Sequence, residues 1–159
     1  MLWVGGEPGE GEGSQPGGAR LPLVADCIFC AIAAGAAPAT IVDEDADTIA
    51  FMDINPWARG HALVIPRRHY ENLLEIAPED LGKTFAAARR LAARMSDRLG
   101  PDGVVLWNSC GQAAGQVVMH FHVHVIPVTG ETSGRAPRPD PSIEESDIAT
   151  AAAALRTEG

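Results

Sequence analysis

The sequence predicts one α+β domain in which an antiparallel sheet of about five strands packs against one long helix. Short segments rich in β-branched residues alternate with turn residues, and one long amphipathic segment separates the third of them from the fourth. The chain has 159 residues, of which 46% are hydrophobic, and this is enough to bury one core. Because strands come before and after the helix without regular alternation, an antiparallel sheet is expected.

The two ends of the chain carry weaker structural signals than the middle. Residues 1–26 are rich in Gly, Pro and Glu without periodicity, so we expect a disordered extension before a domain over residues 27–130. A tail over residues 131–159 follows, and residues 144–156 can form a short helix within it. The N-terminus lacks the features of a signal peptide, and no apolar run is long enough to span a bilayer, so a cytoplasmic location without membrane contact is expected.

The first predicted elements are a short helix and a β-hairpin. Residues 27–34 are expected to form the helix, and its inward side chains are expected to be Ile28, Phe29 and Ile32. Residues 40–44 and 48–53 are strand-like segments on either side of an acidic turn, which is typical of a hairpin. Residues 61–66 are apolar enough to form a central strand.

Pro78 begins the predicted long helix, because proline suits the first helical turn, and Gly100 ends it. Seven apolar side chains recur at helical spacing and are expected to face the core: Leu81, Phe85, Ala88, Leu91, Ala92, Met95 and Leu99. Four basic side chains are expected to stay in water: Lys83, Arg90, Arg94 and Arg98. Residues 103–108 form the next strand, and residues 109–116 form a loop of small and polar residues.

Three of the five histidines, His120, His122 and His124, alternate with apolar residues. In a β-strand successive side chains point to opposite faces, so this stretch predicts a strand with three imidazoles on one face and a dry face in the core. The alternative is a solvated strand face whose histidines have no function. Since imidazole near neutral pH binds metals, transfers protons or acts as a nucleophile, one of these functions is expected.

A histidine nucleophile needs a neutral imidazole with one free nitrogen and a hydrogen bond that fixes the other. Attack on phosphorus then forms a phosphoramidate, which divides one displacement into two steps. The middle histidine, His122, has a neighbour on each side that can supply protons or hydrogen bonds. The preceding loop offers glycines and polar side chains for contacts with phosphoryl oxygens, although this signal is weak by itself.

Three cysteines, Cys27, Cys30 and Cys110, argue against a disulfide framework, because their number is odd and no export signal precedes them. Cys27 and Cys30 form a C-x-x-C pair with three open interpretations. A redox pair should lie between a strand and a helix, a context that is not evident here. Zinc binding needs two further ligands, which histidines can supply. The thiols can also be buried without a ligand.

The histidine row resembles the signature of the histidine-triad (HIT) superfamily of nucleotide hydrolases and transferases. Further segments occur in the order that is typical of its Hint-like branch, in the bacterial zinc-bearing type: residues 27–30, 51–56 and 60–69, and Asn108. The resemblance covers about residues 27–127. It implies a HIT-like fold with a short N-terminal helix, and a homodimer.

The resemblance also implies catalytic roles for several residues. His122 would attack the α-phosphorus of a nucleotide and become nucleotidylated. His124 would contact the phosphate or the leaving group, and His61 would lie beside the triad. Asn108 and Gln116 would hold phosphate or leaving-group oxygens.

The nucleotide-binding residues implied by the resemblance include one departure from the family pattern. Asp53 would bind the ribose hydroxyls, since a carboxylate matches two vicinal donors. Four apolar residues would line the base pocket, although each can equally be ordinary core: Phe29, Ile32, Phe51 and Ile54. Eukaryotic Hint proteins have a serine after the glutamine that is thought to help protonate the leaving group. In this chain the position is Val117, so the leaving group is left open.

Zinc is the cofactor that the resemblance implies. In zinc-bearing members one tetrahedral site is formed by residues that correspond here to Cys27, Cys30, His69 and His120. Two thiolates and two imidazoles suit a closed structural site, which would hold the N-terminal helix against the histidine strand. Cys110 has no place in this site and is expected to be a free thiol.

The sequence therefore predicts a hydrolase that cleaves nucleotides at the α-phosphorus, similar to a purine nucleoside phosphoramidase. Hydrolysis is expected because transferases of the superfamily have glutamine in place of the third histidine, here His124. One alternative is a dinucleoside polyphosphate hydrolase, and another is a zinc-stabilised nucleotide-binding or partner-binding module without catalysis. The net charge of −9 argues against binding to a nucleic-acid polymer.

Overall fold

The computed structural model describes residues 26–130 and 138–157. Apart from Asp26, the predicted disordered extension lies outside the described residues, and the division of the chain at residues 26 and 130 stays a prediction. The described elements, in chain order, are α1 (Ile28–Ala33), β1 (Ile41–Glu44), β2 (Thr48–Met52), β3 (Ala62–Pro66), α2 (Pro78–Leu99), β4 (Gly103–Trp107), β5 (Val123–Val128) and α3 (Glu145–Leu155).

The five strands form one sheet in the order β1-β2-β3-β5-β4, and every neighbouring pair is antiparallel. This confirms the predicted α+β fold with a five-stranded antiparallel sheet. The last strand, β5, lies between β3 and β4, so its first residues are close to both. His124 is paired with Leu63 on one side and with Trp107 on the other.

The long helix α2 has the predicted bounds, with Pro78 in its first turn and Gly100 in the left-handed conformation at its end. Its buried face differs from the prediction at Phe85, whose side chain is 40% exposed. Thr84 takes the inward position instead. Its hydroxyl donates to the carbonyl oxygen of Asp80 at 2.7 Å, so a polar side chain is buried without losing a hydrogen bond.

Arg94 was expected to stay in water, and this prediction is wrong. Its side chain is only 16% exposed and lies 3.0 Å from the carboxylate of Asp43 in β1. The other basic residues of α2 remain closer to solvent, and Arg90 pairs with Asp45 in the hairpin turn. The arginines of this helix therefore hold the β1–β2 hairpin against it.

Each face of the sheet carries its own apolar cluster. One face packs against α2 and α3 through Val64, Val123 and Val125, among others. On the opposite face Phe29 and Ile32 of α1 pack against Phe51 and other strand residues. Ile28 was expected to point inward, but it is 50% exposed. The buried face of α1 carries Phe29, Cys30 and Ile32, and Ile28 lies at the edge of that face.

Helix α3 lies within the region where a short C-terminal helix was considered. Its Ala151, Ala152 and Leu155 are buried in the same cluster as the inner face of α2. The guanidinium of Arg98 donates to the carbonyl oxygens of Ala154 and Arg156, which satisfies the end of α3. No helix in the described part of the chain is both long and apolar enough to cross a membrane.

Candidate active site and metal centre

The histidine row lies at the entry to β5, and only its last member belongs to the strand. The prediction that the whole row is a strand is therefore wrong, since β5 begins at Val123. The backbone N–H of Phe121 donates to the carbonyl oxygen of Tyr70 at 2.6 Å, so this N–H is bonded outside the β3–β5 pairing, which begins at Val123. Phe121 and Val123 still enter the core, so the side chains keep their alternation. The histidines thus stand on the side of the α1 cluster.

Two hydrogen bonds orient His122, one at its ring and one at its backbone. Nδ1 of His122 lies 2.7 Å from the carbonyl oxygen of His120, and the side-chain amide of Asn108 donates to the carbonyl oxygen of His122 at 2.7 Å. A carbonyl can only accept, so Nδ1 carries the ring proton and Nε2 keeps its lone pair. Burial lowers the pKa of His122 against the opposing effects of the His120 carbonyl and the Asp53 charge. The site thus offers a neutral imidazole with one free nitrogen.

His61 lies beside the triad, as predicted, and bonds directly to His124. Its Nδ1 accepts from the backbone N–H of Trp57 at 3.0 Å, and its Nε2 is 2.9 Å from Nδ1 of His124. Burial, together with the charge of His122, lowers the pKa of His61 to about 3. Burial and the neighbouring histidines also lower the pKa of His124 to about 3. Both imidazoles are therefore neutral near neutral pH.

Asp53, predicted to bind ribose, comes directly after β2 and approaches both of these histidines. One carboxylate oxygen lies 3.6 Å from Nε2 of His61 and 3.8 Å from Nδ1 of His124. The other accepts the backbone N–H of Asn55 at 2.7 Å. The carboxylate is thus oriented by the following turn and borders the histidine pair.

Four potential zinc ligands, Cys27, Cys30, His69 and His120, lie together, with their ligand atoms within 4.8 Å of one another. Nδ1 of His120 is 3.5 Å from Sγ of Cys27 and 3.6 Å from Sγ of Cys30, and Nδ1 of His69 is 3.3 Å from Sγ of Cys30. With Zn–S of about 2.3 Å and Zn–N of about 2.0 Å, a tetrahedral ion places sulfur and nitrogen about 3.5 Å apart. The residues present therefore fit zinc.

His120 has the tautomer that a metal ligand needs. Its Nε2 lies 2.9 Å from the carbonyl oxygen of Pro66, so Nε2 carries the proton and Nδ1 faces the thiols with a lone pair. Burial lowers its pKa to about 4, despite the bond to Pro66. One residue thus serves both centres, because its ring faces the thiols while its carbonyl orients His122.

The residues predicted to bind the base fall into two groups. Phe29, Ile32 and Phe51 are buried together, and the ring of Phe29 packs edge-on against His122 at 5.4 Å between centroids. In contrast, Ile54 is 85% exposed. The first three residues therefore form a buried wall beside His122, whereas Ile54 faces solvent. Val117, which was expected on the leaving-group side of the nucleotide, is 89% exposed.

Gln116, predicted to hold phosphate or leaving-group oxygens, uses its amide within the protein. Its oxygen accepts the backbone N–H of Gly111 at 2.7 Å. Its nitrogen donates to the carbonyl oxygens of Glu71 and Val118 at 2.6 and 3.1 Å. The side chain is buried, and it ties the loop before the triad to the segment that follows β3.

Comparison with known proteins identifies the family of this chain. The family model for the HIT domain matches residues 34–131. The chain belongs to the HIT family.

Relatives of this HIT protein include characterised and structurally solved members. It is 41% identical over 109 residues to the protein hit of Bacillus subtilis, which covers 69% of this chain and 75% of that one. Adenylylsulfatase HINT3 of Arabidopsis thaliana is 35% identical over 102 residues, 64% of this chain and 52% of that protein. The crystal structure of a zinc-bound histidine triad family protein from Mycobacterium smegmatis matches with a TM-score of 0.70 and 37% identity, over 82% of this chain and 93% of the other.

Trp57 also lies in this HIT site, although no sequence motif indicated it. Its indole stacks on the imidazole of His124, with centroids 4.7 Å apart and an interplanar angle of 20°, and it lies 5.0 Å from His61. Its only local signal is its position four residues before His61, in the turn that joins β2 to β3. Stacking on a distant histidine depends on the pairing of β3 with β5, which no local pattern predicts.

Proposed function

We propose that this HIT protein hydrolyses nucleotides at the α-phosphorus, with His122 as the nucleophile. The observation that carries the proposal is the bond from Nδ1 of His122 to the carbonyl oxygen of His120 at 2.7 Å. It leaves the lone pair of Nε2 available for attack, and the lowered pKa keeps the ring neutral. Purine nucleoside phosphoramidates are the substrates that the resemblance implies.

The reaction would proceed in two displacements. In the first, Nε2 of His122 forms a bond to the α-phosphorus as the bond from phosphorus to the leaving group breaks. In the second, water attacks phosphorus, the P–N bond breaks, and the nucleoside monophosphate leaves with His122 restored. The amide of Asn108 supports both steps by holding the backbone of His122, at 2.7 Å from its carbonyl oxygen.

Binding of the nucleotide would use the two sides of this histidine. The buried wall of Phe29, Ile32 and Phe51 is apolar enough to hold a base, and Asp53 would accept from the ribose hydroxyls. His124 would contact the phosphate or the leaving group. Gln116 would act by shaping the loop, because its amide is already bonded within the protein.

A zinc ion would be held by Cys27, Cys30, His69 and His120 in a closed structural site. When bound, it supplies a cross-link between α1 and the segment that leads into β5, and it takes no part in the displacements. The positions of the four ligand atoms support this role, as does the donation by His120 Nε2 to Pro66. A cytoplasmic location is proposed together with this function.

We also propose a homodimer that forms at the edge of the sheet. Within residues 26–130 and 138–157, β4 is the last strand on its side of the sheet, so one row of its backbone groups has no strand partner there. It exposes Leu106 to 42%, and Phe85 of the adjacent α2 is also exposed. Sedimentation velocity should give a dimer for the parent and a monomer for Leu106→Glu. A parent protein that stays monomeric at tens of micromolar would contradict this assembly.

Intact-protein mass spectrometry after rapid quenching tests the proposed function. The zinc-loaded protein is mixed with adenosine monophosphoramidate, adenosine phosphosulfate or a dinucleoside polyphosphate and quenched without acid, because phosphohistidine is acid-labile. An added mass of one adenylyl group is expected, and it should be absent from His122→Ala. If no donor gives an adduct or releases AMP while nucleotide still binds, a binding module replaces the hydrolase.

A further inference from the structure

We propose that Trp57 and His61 hold His124 as a neutral hydrogen-bond donor, and that the site therefore favours nucleotides whose leaving group departs as a stable anion. This inference rests on the proposed hydrolysis at His122 and narrows its substrate class, because phosphoramidates, which release an amine of high pKa, would be the slower substrates. It follows from counting donors and acceptors along one chain of hydrogen bonds, from Trp57 through His61 to His124.

The first bond in this chain fixes the tautomer of His61. A backbone N–H can only donate, and that of Trp57 points at Nδ1 of His61 from 3.0 Å. Nδ1 must therefore carry a lone pair. The ring is fully buried, so it is neutral, and its single proton is on Nε2.

The second bond passes this constraint to His124. Nε2–H of His61 donates to Nδ1 of His124 at 2.9 Å, so Nδ1 of His124 also carries a lone pair. A proton on that nitrogen would face the proton of His61. The imidazolium form is thereby disfavoured, even though the Asp53 carboxylate lies 3.8 Å away and favours it. His124 keeps one proton, which is on Nε2.

Neighbouring triad histidines consequently present opposite groups. His122 offers the lone pair of its Nε2, whereas His124 offers Nε2–H, and their rings lie 5.0 Å apart at 75°. Among the described residues, no group of the protein forms a hydrogen bond with Nε2 of His124, whose bond to His61 is made through Nδ1. The indole of Trp57 stacks on the same ring and limits its rotation. The site is therefore built to stabilise charge on a phosphoryl or leaving-group oxygen.

Asp53, His61 and His124 also bring their potential ligand atoms close together. The donors and acceptors already assigned to His61 disfavour a second metal site there. A metal on Nε2 of His61 would require the proton to move to Nδ1. Nδ1 would then face the N–H of Trp57, donor against donor. The cluster acts as a hydrogen-bond chain.

A neutral imidazole stabilises charge by hydrogen bonding but is a very weak acid, so His124 would not protonate a leaving group. The residue after Gln116 is Val117, whose exposed side chain has no proton to donate. Leaving groups that depart as stable anions, such as sulfate or an acidic phenol, need no proton. They should therefore react faster than amines or alcohols of high pKa.

Two measurements test this inference on the zinc-loaded full chain. The first is kcat/KM for adenosine 5′-monophosphate aryl esters whose phenols differ in acidity. A general acid would offset the slower departure of the less acidic phenol, an effect of roughly 10²–10⁴-fold. Because the site lacks this acid, we expect kcat/KM to fall by about a hundredfold between the 4-nitrophenyl and the unsubstituted phenyl ester. Similar values for both esters would overturn the inference while leaving hydrolysis intact.

The second measurement is the ¹⁵N NMR of the histidine side chains, which reports tautomers without any substrate. We expect His124 to carry its proton on Nε2 at pH 7 in the parent and in His61→Gln, whose amide can still donate to Nδ1. In His61→Leu this preference should be lost. A parent in which Nδ1 of His124 is protonated would overturn the inference. The adduct at His122 tests hydrolysis separately, so failure of either proposal can be recognised.

Discussion

Acid should destabilise this protein in part through the buried neutral histidines His61 and His124. Their pKa is about 3 in the folded state, against about 6.5 when unfolded. Above pH 6.5 neither state binds the proton, so this contribution to stability is complete. As the pH falls from 6.5 towards 3, only the unfolded chain binds protons, and the free energy of unfolding decreases. The sign is the same for both residues.

The magnitude follows from the distance between pH 5 and the unfolded pKa. That interval is about 1.5 units, and each unit corresponds to about 1.4 kcal/mol per group. The loss between pH 7 and pH 5 is therefore about 2 kcal/mol for each histidine and about 4 kcal/mol for the pair. The figure requires only that both folded pKa values lie well below 5.

Urea unfolding at pH 7 and pH 5 measures this loss. The parent is compared with a double variant, His61→Gln with His124→Gln, which has no titrating group at these positions. Both proteins retain the zinc ligands, so loss of metal in acid affects both and cancels in the difference. The variant should be less sensitive to acid by about 4 kcal/mol, and each single variant by about half of that. Equal acid sensitivity in parent and double variant would refute the assignment of neutral imidazoles.

Two further predictions concern the metal and the packing around β3. Cys30→Ser should lower the zinc content measured by plasma mass spectrometry and lower the melting temperature, whereas Cys110→Ser, outside the site, should leave both unchanged. Gly60→Ala should destabilise by roughly 1–3 kcal/mol, chiefly because φ is +100°, while the terminal Cδ1 of Leu99, 2.6 Å from the new Cβ, would have to move. The matched control Gly82→Ala, with no atom within 4 Å, should stabilise α2 by about 0.5–1 kcal/mol. Unchanged zinc in Cys30→Ser, or two alanine variants of equal stability, would contradict these assignments.

Local signals predicted the elements of this fold well. Pro78 suits the first turn of α2 because its φ is fixed, and Gly100 ends the helix because it adopts the left-handed conformation without a Cβ clash. The hairpin follows from two strand-like segments around a short acidic turn. The errors occurred where the outcome depends on tertiary contacts. The face of α2 that carries Ala88 and Leu91 packs on the sheet, and this rotation of the helix places Thr84 inward and Phe85 outward. The bond from Thr84 to Asp80 satisfies the buried hydroxyl. No periodicity contains that information.

The candidate site divides in the same way. The four potential zinc ligands lie together, as the family resemblance implied, and Cys27 caps α1 while Cys30 lies in its first turn, which places the two thiols on one side. The alternation around His122 also suggested two faces. It could not indicate that β5 and its pairing with β3 begin only at Val123, after His122. The bonds of Trp57 and the internal use of the Gln116 amide depend on residues that are distant in sequence. They could be identified only in three dimensions.

The internal bonding of Gln116 has a consequence for the speed of substrate capture. Three hydrogen bonds hold its amide to Gly111, Glu71 and Val118, so the loop beside the histidines is already ordered before a nucleotide arrives. A loop that becomes ordered only on binding would lose conformational entropy and slow association. For the proposed nucleotide substrate no such rearrangement of this loop would be needed, and diffusion together with the net charge of −9 should set the rate of capture. An anionic nucleotide should accordingly associate faster as added salt screens the repulsion.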